Sequence, residues 1–97
     1  MRQYKFTSSA LAELAQATLY YEQSEVGLGS AFLIEIEAAL SRILQHPEAW
    51  HQLSRRTRRC RTRRFPFGLI YQIRTDEILI TSVMDLRRDP ANWKELL

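Results

Sequence analysis

Two stretches with helical periodicity, separated by only four residues, constrain the fold of this chain more than any other feature. Small or apolar residues recur every three to four positions along each stretch, which is the pattern of an amphipathic helix. These positions are Leu11, Leu14, Ala15, Thr18 and either Tyr21 or Tyr20 in the first stretch, and Phe32, Leu33, Ile36, Leu40, Ile43 and Leu44 in the second. Gly27 is suited to end the first helix, Ser30 to cap the second, and Pro47 to end it after His46. Two helices joined by so short a link must lie antiparallel.

The segments that follow the helices predict strands, because they are rich in β-branched and aromatic residues. They are residues 57–64, 67–74 and 77–84. Thr75 and Asp76 fit a tight turn, residues 2–6 predict a short first strand, and Pro90 can open a last helical turn. We therefore expect an α+β fold in a single domain over residues 1–97. It has an N-terminal strand, an antiparallel two-helix hairpin, a three-stranded antiparallel sheet and a short C-terminal helical turn.

The middle segment of the predicted sheet has one face better suited to the core than the other. Alternation places Phe67, Leu69, Tyr71 and Ile73 on one face and Gly68, Ile70, Gln72 and Arg74 on the other. The first set is entirely apolar or aromatic, so we expect it to pack against the helices.

Length and composition exclude several classes of protein. With 97 residues, 45% of them hydrophobic, the chain is long enough for one core and too hydrophobic to be disordered. No run approaches the roughly 18 apolar residues of a membrane-spanning helix, and no apolar signal segment follows Met1, so we expect a cytoplasmic protein without a membrane partner.

Cys60 is the single cysteine, and we expect it to be packed rather than reactive. No disulfide, metal site or cofactor is expected.

Charge is distributed unevenly along the chain. Up to Ser54, three basic residues stand against six acidic ones, a net charge of −3, whereas the remainder carries eleven basic and five acidic residues, a net charge of +6. Seven arginines fall between Arg55 and Arg64. Such asymmetry is typical of a chain with an anionic partner, and an acidic protein surface or a nucleic-acid backbone would each relieve the repulsion. The alternative is a solvated strand edge whose charge deters aggregation.

The arginine-rich segment 57–64 is predicted to be a strand, so its side chains alternate between two faces. One face holds Arg59, Arg61 and Arg63, and the other holds Arg58, Cys60, Thr62 and Arg64. Because arginines occur on both faces of this segment, the two faces cannot both be buried in the core. We interpret the segment as a binding surface, since the planar guanidinium pairs with a carboxylate or a phosphate through two hydrogen bonds.

Several short motifs, in this order and spacing, resemble the ParE branch of the ParE/RelE toxin superfamily over nearly the whole chain. They are AEL at 12–14, YYE at 20–22, GLG at 27–29 followed by FL at 32–33 and Glu35, ILQHPE at 43–48, RFPFGLIY at 64–71, and VMDLRRDP at 83–90 with Trp93. The resemblance implies a toxin of a type II toxin–antitoxin pair, held inactive by an antitoxin whose helix docks on it. ParE-like members poison DNA gyrase and RelE-like members cut messenger RNA in the ribosome, so the fold alone does not choose between them.

Asp85 bears on that choice, because many relatives carry a histidine in the segment that here reads Val83-Met84-Asp85. RNA cleavage through the 2′-hydroxyl needs groups that transfer protons and cations that stabilise the phosphorane, and a carboxylate would repel the phosphate. We therefore favour a non-enzymatic inhibitor of DNA gyrase. The alternatives are a ribosome-dependent endoribonuclease, with Arg64 and Arg88 stabilising phosphate charge, and a non-toxic binding or plasmid-maintenance protein on the same fold.

Two sets of residues are expected to contact partners, in a hetero-oligomer with the antitoxin and at the target. The expected target-binding residues are Arg58, Arg59, Arg61, Arg63, Arg64, Arg87, Arg88 and Trp93. The expected antitoxin-binding residues are Leu19, Tyr20, Leu33, Ile34 and Leu44, apolar positions that a two-helix hairpin can leave outside its core. Trp93 is alternatively a plug that closes the sheet. His46 and His51 are expected to be structural or solvated rather than catalytic.

Overall fold

A helical hairpin packed on one face of a sheet makes up residues 3–87, the part of the chain that the computed structural model describes. Helix α1 spans Ser8–Ser24 and helix α2 spans Leu28–Gln45. The strands are β1 Gln3–Phe6, β2 His51–Gln52, β3 Arg58–Arg61, β4 Phe67–Ile73 and β5 Glu77–Asp85. The helical turn predicted from Pro90 lies outside the described residues. Between residues 3 and 87, no helix is both long and apolar enough to cross a membrane.

The sheet has five strands in the order β1-β5-β4-β3-β2. Strand β1 is parallel to β5, with Gln3 opposite Glu77 and Phe6 opposite Ile80, and the other pairings are antiparallel. The α+β class is confirmed, and the three predicted strands pair antiparallel as β3, β4 and β5. The predicted number of strands in the sheet is wrong, since β1 and β2 add the two edges and make the sheet mixed. A parallel neighbour needs a crossover connection, and the helical hairpin supplies one between β1 and the rest of the sheet. Strand β2, two residues long, is too short for alternation to reveal.

The link between the helices is set by Gly27. Its φ of 90° lies in the left-handed region that glycine adopts at little cost, and it is the N-cap of α2. The predicted cap, Ser30, is therefore wrong, because α2 already begins at Leu28. At the start of α1 the cap is Thr7, whose Oγ1 accepts a hydrogen bond from the Ala10 N–H at 3.1 Å.

A carboxylate of α1 takes the place of a side-chain cap on α2. The Glu22 carboxylate accepts hydrogen bonds from the backbone N–H groups of Gly27, at 3.0 and 3.1 Å, and Gly29, at 3.0 Å. The first turn of a helix has free N–H groups and favours negative charge, so this contact stabilises α2 and fixes the angle of the hairpin. A Cβ atom on Gly29 would lie 3.0 Å from the Thr18 carbonyl oxygen, so the helices approach too closely here for a side chain.

Aromatic side chains form the centre of the core between the hairpin and the sheet. The Phe32 ring of α2 lies with its centroid 5.0 Å from that of Phe67 and 5.3 Å from that of Phe65, and Tyr21 of α1 lies 4.8 Å from Phe65. Phe32 is fully buried. Because Phe65 lies in the loop before β4, this cluster fixes that loop against both helices.

Strand β4 faces the helices with the predicted side chains. Phe67, Leu69 and Tyr71 are buried in the core, and Ile73 packs against it. The Tyr71 hydroxyl donates a hydrogen bond to the Pro47 carbonyl oxygen, which ties the end of α2 to the middle of the sheet. On the other face Ile70 is also buried, at 2% exposure, so that face is less open than alternation predicts.

Candidate target-binding surface

The arginine-rich strand is shorter than predicted. Strand β3 ends at Arg61. The Thr62 N–H donates to the Phe67 carbonyl oxygen at 3.0 Å and Thr62 Oγ1 donates to the Phe65 carbonyl oxygen at 2.6 Å, and these bonds close a tight loop over residues 62–66. Arg63 and Arg64 therefore lie in a loop, and the predicted alternation of faces does not extend to them.

A carboxylate from α2 holds this loop. Glu35 Oε1 accepts hydrogen bonds from the backbone N–H groups of Arg63 at 2.9 Å and Arg64 at 2.8 Å. Because the carboxylate binds the main chain, it pairs with neither guanidinium, and both arginine side chains are exposed. The Arg64 guanidinium lies 5.5 Å from the centroid of the Phe65 ring, within cation–π range.

Loop 62–66 lies beside the end of β5. In the sheet Gly68 pairs with Arg61 on one side and with Met84 on the other, and the Leu86 N–H donates to the Pro66 carbonyl oxygen at 2.8 Å. The fold thus brings Arg61, Arg63 and Arg64 to the same end of the sheet as Asp85 and Arg87. We name these five residues the Arg61–Arg87 surface.

Asp85 and Arg87 form an ion pair within that surface. Asp85 Oδ2 lies 2.8 Å from Arg87 Nη2, and Oδ1 accepts from Arg87 Nε at 3.0 Å and from the Arg87 backbone N–H at 2.9 Å. These hydrogen bonds raise the pKa of Arg87 above its ordinary value. It is the one ion pair among residues 3–87, so Arg61, Arg63 and Arg64 have no carboxylate partner within that range.

A cavity of about 380 Å³ lies between α1 and β5, beside the ion pair. Its polar lining includes Glu13, Tyr20, Tyr21, Asp85 and Arg87. Glu13 Oε1 accepts hydrogen bonds from the Ser82 hydroxyl at 2.9 Å and the Val83 N–H at 3.0 Å, which fastens α1 to β5. Burial raises the pKa of Tyr21, against the opposing effect of the Arg87 charge, so its hydroxyl stays protonated and can donate a hydrogen bond.

Arg59 lies on the face of the sheet away from the helices. A Cβ atom built on Gly68 would lie 3.1 Å from Arg59 Cγ, so the aliphatic part of Arg59 crosses over that glycine. Its Nε atom is buried and has no hydrogen-bond partner among the described residues. Burial, and then the neighbouring Arg61 charge, lowers the pKa of Arg59. A buried donor without a partner is costly, and an anionic ligand near it would remove that cost.

Arg58 does not belong to the Arg61–Arg87 surface. Its Nη1 donates to the carbonyl oxygens of Glu48 at 3.0 Å and Trp50 at 2.9 Å, at the opposite end of β3. The bonds direct the side chain toward the segment after α2, so the fold separates Arg58 from the other arginines that the sequence groups with it.

The remaining sites expected from the sequence have clear places in the structure. Cys60 is 1% exposed and burial raises the pKa of its thiol, which matches a packed cysteine.

The residues expected to bind the antitoxin differ in exposure. Leu19, Tyr20 and Ile34 are well exposed, Leu33 is less so, and Leu44 is half-buried against the core. Arg88 and Trp93 lie outside the described residues. No three His, Cys, Asp or Glu side chains within residues 3–87 are placed to hold a metal ion.

The fold and the surface together define a small α+β protein with a cationic end to its sheet. The sequence matches the family described as ParE toxin of type II toxin-antitoxin system, parDE, over residues 4–90, and the chain therefore belongs to the ParE toxin family. A chain from the solved structure of the chromosomal ParDE TA system from P. aeruginosa has the same fold. Its TM-score is 0.74 at 20% sequence identity, over 89% of this chain and 97% of that chain. Among curated proteins, none matches the sequence.

Replacing Glu35 tests whether its carboxylate positions the loop. Glu35→Ala removes the acceptor for two N–H groups, and we expect it to lower the free energy of unfolding by about 1–3 kcal/mol in urea denaturation. The backbone amides of Arg63 and Arg64 should then exchange faster with solvent. Glu37→Ala is the matched control, since Glu37 is exposed on the same helix, and a change within about 0.5 kcal/mol is expected. Unchanged exchange at Arg63 and Arg64 in the Glu35 variant would show that the loop holds its shape without this carboxylate.

Proposed function

We propose that this chain is a non-enzymatic toxin, a single domain over residues 1–97, that acts in the cytoplasm by binding DNA gyrase. Its cognate antitoxin would hold it inactive in a hetero-oligomer. Membership of the ParE toxin family supports the toxin role. The observation that carries the choice of a binding mechanism is the Arg61–Arg87 surface. There the exposed guanidinium groups of Arg61, Arg63 and Arg64 have no carboxylate partner within residues 3–87, and the carboxylate of Asp85 is bonded to Arg87.

The position of Asp85 argues against a ribonuclease. Asp85 stands where a catalytic histidine is expected in nuclease relatives, and it accepts three hydrogen bonds from Arg87. A carboxylate engaged in this way is a poor general base, because proton abstraction requires an accessible lone pair aimed at the substrate hydroxyl. Its negative charge would also lie close to any phosphate that Arg87 bound.

Arginine suits a contact with an acidic protein groove or with the DNA that gyrase holds. The guanidinium groups of Arg63 and Arg64 are carried on a loop fixed by Glu35 and Thr62, so little conformational entropy of the backbone is lost when they bind. Arg59 adds a buried donor without a described partner. Arg88 and Trp93 are included in the proposed contact surface on sequence grounds alone.

Parallel assays of gyrase and ribosomes test the proposal. The purified chain should inhibit supercoiling by gyrase and leave ribosome-bound messenger RNA uncut. Arg63→Ala combined with Arg64→Ala should raise the concentration for half-inhibition by about tenfold or more, since two charge-assisted contacts are lost. Lys5→Glu is the control, because it changes the net charge equally on exposed strand β1, and it should leave inhibition within about twofold.

Other outcomes of these assays point elsewhere. Ribosome-dependent RNA cleavage without gyrase inhibition would overturn the proposal in favour of an endoribonuclease. Neither activity, together with normal growth of cells expressing the chain without an antitoxin, would identify a non-toxic binding protein on the same fold.

The outer face of the helical hairpin is the proposed antitoxin site. Leu19 and Tyr20 of α1 are 58% and 62% exposed, and Ile34 of α2 is 65% exposed. Leu33 lies beside Ile34, and Leu44 lines a shallow apolar cavity further along α2. An amphipathic antitoxin helix would bury the exposed part of these side chains, which contributes roughly 25 cal/mol for each Å² of apolar surface removed from water.

Two surface substitutions test that interface. Leu19→Ser combined with Ile34→Ser should abolish co-purification with the antitoxin while leaving gyrase inhibition intact, because the Arg61–Arg87 surface is unchanged. Val26→Ser is the control, since Val26 is 91% exposed at the turn of the hairpin and should not affect co-purification. If the double variant still co-purifies at full yield, the antitoxin binds elsewhere.

A further inference from the structure

A second cationic site lies at the end of the sheet opposite the Arg61–Arg87 surface. A cavity of about 450 Å³ opens where β2, β3 and β4 meet the turns beside them. Its polar lining includes the side chains of Gln52, Arg55, Arg56, Arg58, Gln72 and Arg74. Arg74 comes from the end of β4, so the fold joins it to three arginines that are at least 16 positions earlier in the sequence.

A hydrogen-bonded turn holds two of these arginines in place. The N–H groups of Leu53 and Ser54 both donate to the Thr57 carbonyl oxygen, at 2.9 and 3.3 Å. The Ser54 and Thr57 hydroxyls lie 2.7 Å apart, and the Arg56 N–H donates to Ser54 Oγ at 3.3 Å. Arg55 and Arg56 therefore lie at the tip of a closed turn, and both are exposed.

Hydrogen bonds orient the other two guanidinium groups. Arg58 donates from Nη1 to the carbonyl oxygens of Glu48 and Trp50, which leaves its Nε and Nη2 donors available. Arg74 donates from Nε and Nη2 to Gln72 Oε1, at 3.2 and 2.9 Å, which leaves Nη1 available. Side chains held in this way lose little rotamer freedom when they bind a ligand.

The cavity carries a concentrated positive charge. No carboxylate lines it among the described residues, and none of its four arginines forms an ion pair with a residue between 3 and 87. Four like charges around one concavity repel one another, and an anion that enters relieves that repulsion while it gains charge-assisted hydrogen bonds. The geometry therefore selects an anionic ligand with more than one negative group.

The rest of the lining indicates which anion fits. Among the lining residues that the structure describes, none is aromatic, so none can stack on a base, and Ile73 is the one aliphatic residue. Protein partners are anchored mainly by buried aromatic and apolar side chains, for which this cavity offers no pocket. Phosphates of a nucleic-acid backbone need only the cationic donors that are present.

We propose that the Arg55–Arg74 cavity, defined by Arg55, Arg56, Arg58 and Arg74, binds the phosphodiester backbone of a nucleic acid without reading its sequence. The site lies apart from the Arg61–Arg87 surface, at the other end of β3, and it requires no contact with gyrase. If the toxin bound duplex DNA in this cavity, the Arg61–Arg87 surface at the other end of the sheet would still be accessible to a protein target.

Fluorescence anisotropy with the purified full chain and a labelled DNA duplex tests this site directly. Arg55→Ala combined with Arg56→Ala should weaken binding by about tenfold or more at moderate salt. It should also reduce the slope of log affinity against log NaCl concentration by about 2, because each lost phosphate contact contributes about 0.9. Lys5→Glu removes the same net charge at the opposite edge of the sheet and should change affinity by less than about threefold.

The variants distinguish binding at a defined site from general electrostatic attraction between a basic protein and a nucleic acid. Arg55 and Arg56 are exposed in a turn, so the double variant should keep the circular dichroism spectrum and melting temperature of the parent. Duplex RNA of the same length replaces DNA in a second arm, and binding of either polymer with the same sensitivity to the double variant supports a phosphodiester site. Equal loss in the Lys5 variant, an unchanged slope, or binding of poly-glutamate in place of both nucleic acids would overturn the proposal. The supercoiling assay is independent of this measurement, so the two proposals fail separately.

Discussion

Three glutamates of the helical hairpin, Glu13, Glu22 and Glu35, bind the main chain instead of the arginines. Glu13 receives the Val83 N–H and the Ser82 hydroxyl, Glu22 receives two N–H groups at the start of α2, and Glu35 receives two in loop 62–66. Hydrogen bonds to an ionised carboxylate are among the stronger ones in proteins. They hold α1 to β5, α1 to α2, and α2 to the loop after β3. The relative positions of these elements at the Arg61–Arg87 end of the sheet therefore depend on them.

These contacts also affect the pairing of charges, because they occupy three carboxylates that could otherwise bind arginine side chains. A carboxylate that accepts two N–H groups is compensated by backbone dipoles and has less capacity to neutralise a nearby guanidinium. Within residues 3–87, Arg87 is the one arginine in an ion pair. Arg42 and Arg58 donate to carbonyl oxygens, Arg74 donates to Gln72, and Arg63 and Arg64 are exposed. The repulsion among these like charges favours the binding of an external anion, so the protein's stability and its affinity for partners are linked.

Local patterns in the sequence predict much of this fold. The helical hairpin and the strands β3, β4 and β5 follow from periodicity and turn residues, which act over a few positions. The parallel pairing of β1 with β5 joins residues about 74 positions apart, as Gln3 opposite Glu77 shows, and nothing local encodes it. The end of β3 was missed because it depends on Thr62 bonding to the Phe65 carbonyl and on Glu35, a residue of another element.

The sequence indicates a concentration of arginines but only part of their arrangement in space. Charge counting identifies the arginine run, but it treats the run as one surface. The turn at residues 53–57 and the loop at residues 62–66 divide it between the two ends of the sheet. The strand pairings place Arg74 beside Arg55, Arg56 and Arg58 at one end of the sheet and Arg87 beside loop 62–66 at the other. A count of charges along the sequence does not predict these pairings. Asp85 was recognised as unusual, whereas its hydrogen bonds with Arg87 depend on backbone geometry at the end of β5.

The central claim is that the fixed loop at residues 62–66, with the exposed side chains of Arg63 and Arg64, is the surface that meets the target. Hydrogen exchange of the full chain, measured with and without gyrase, tests it most directly. We expect the amides of residues 61–64 and 85–87 to exchange about tenfold more slowly in the complex, with the outer faces of α1 and α2 unchanged. Protection confined to the two helices, with none at residues 61–64, would contradict the account.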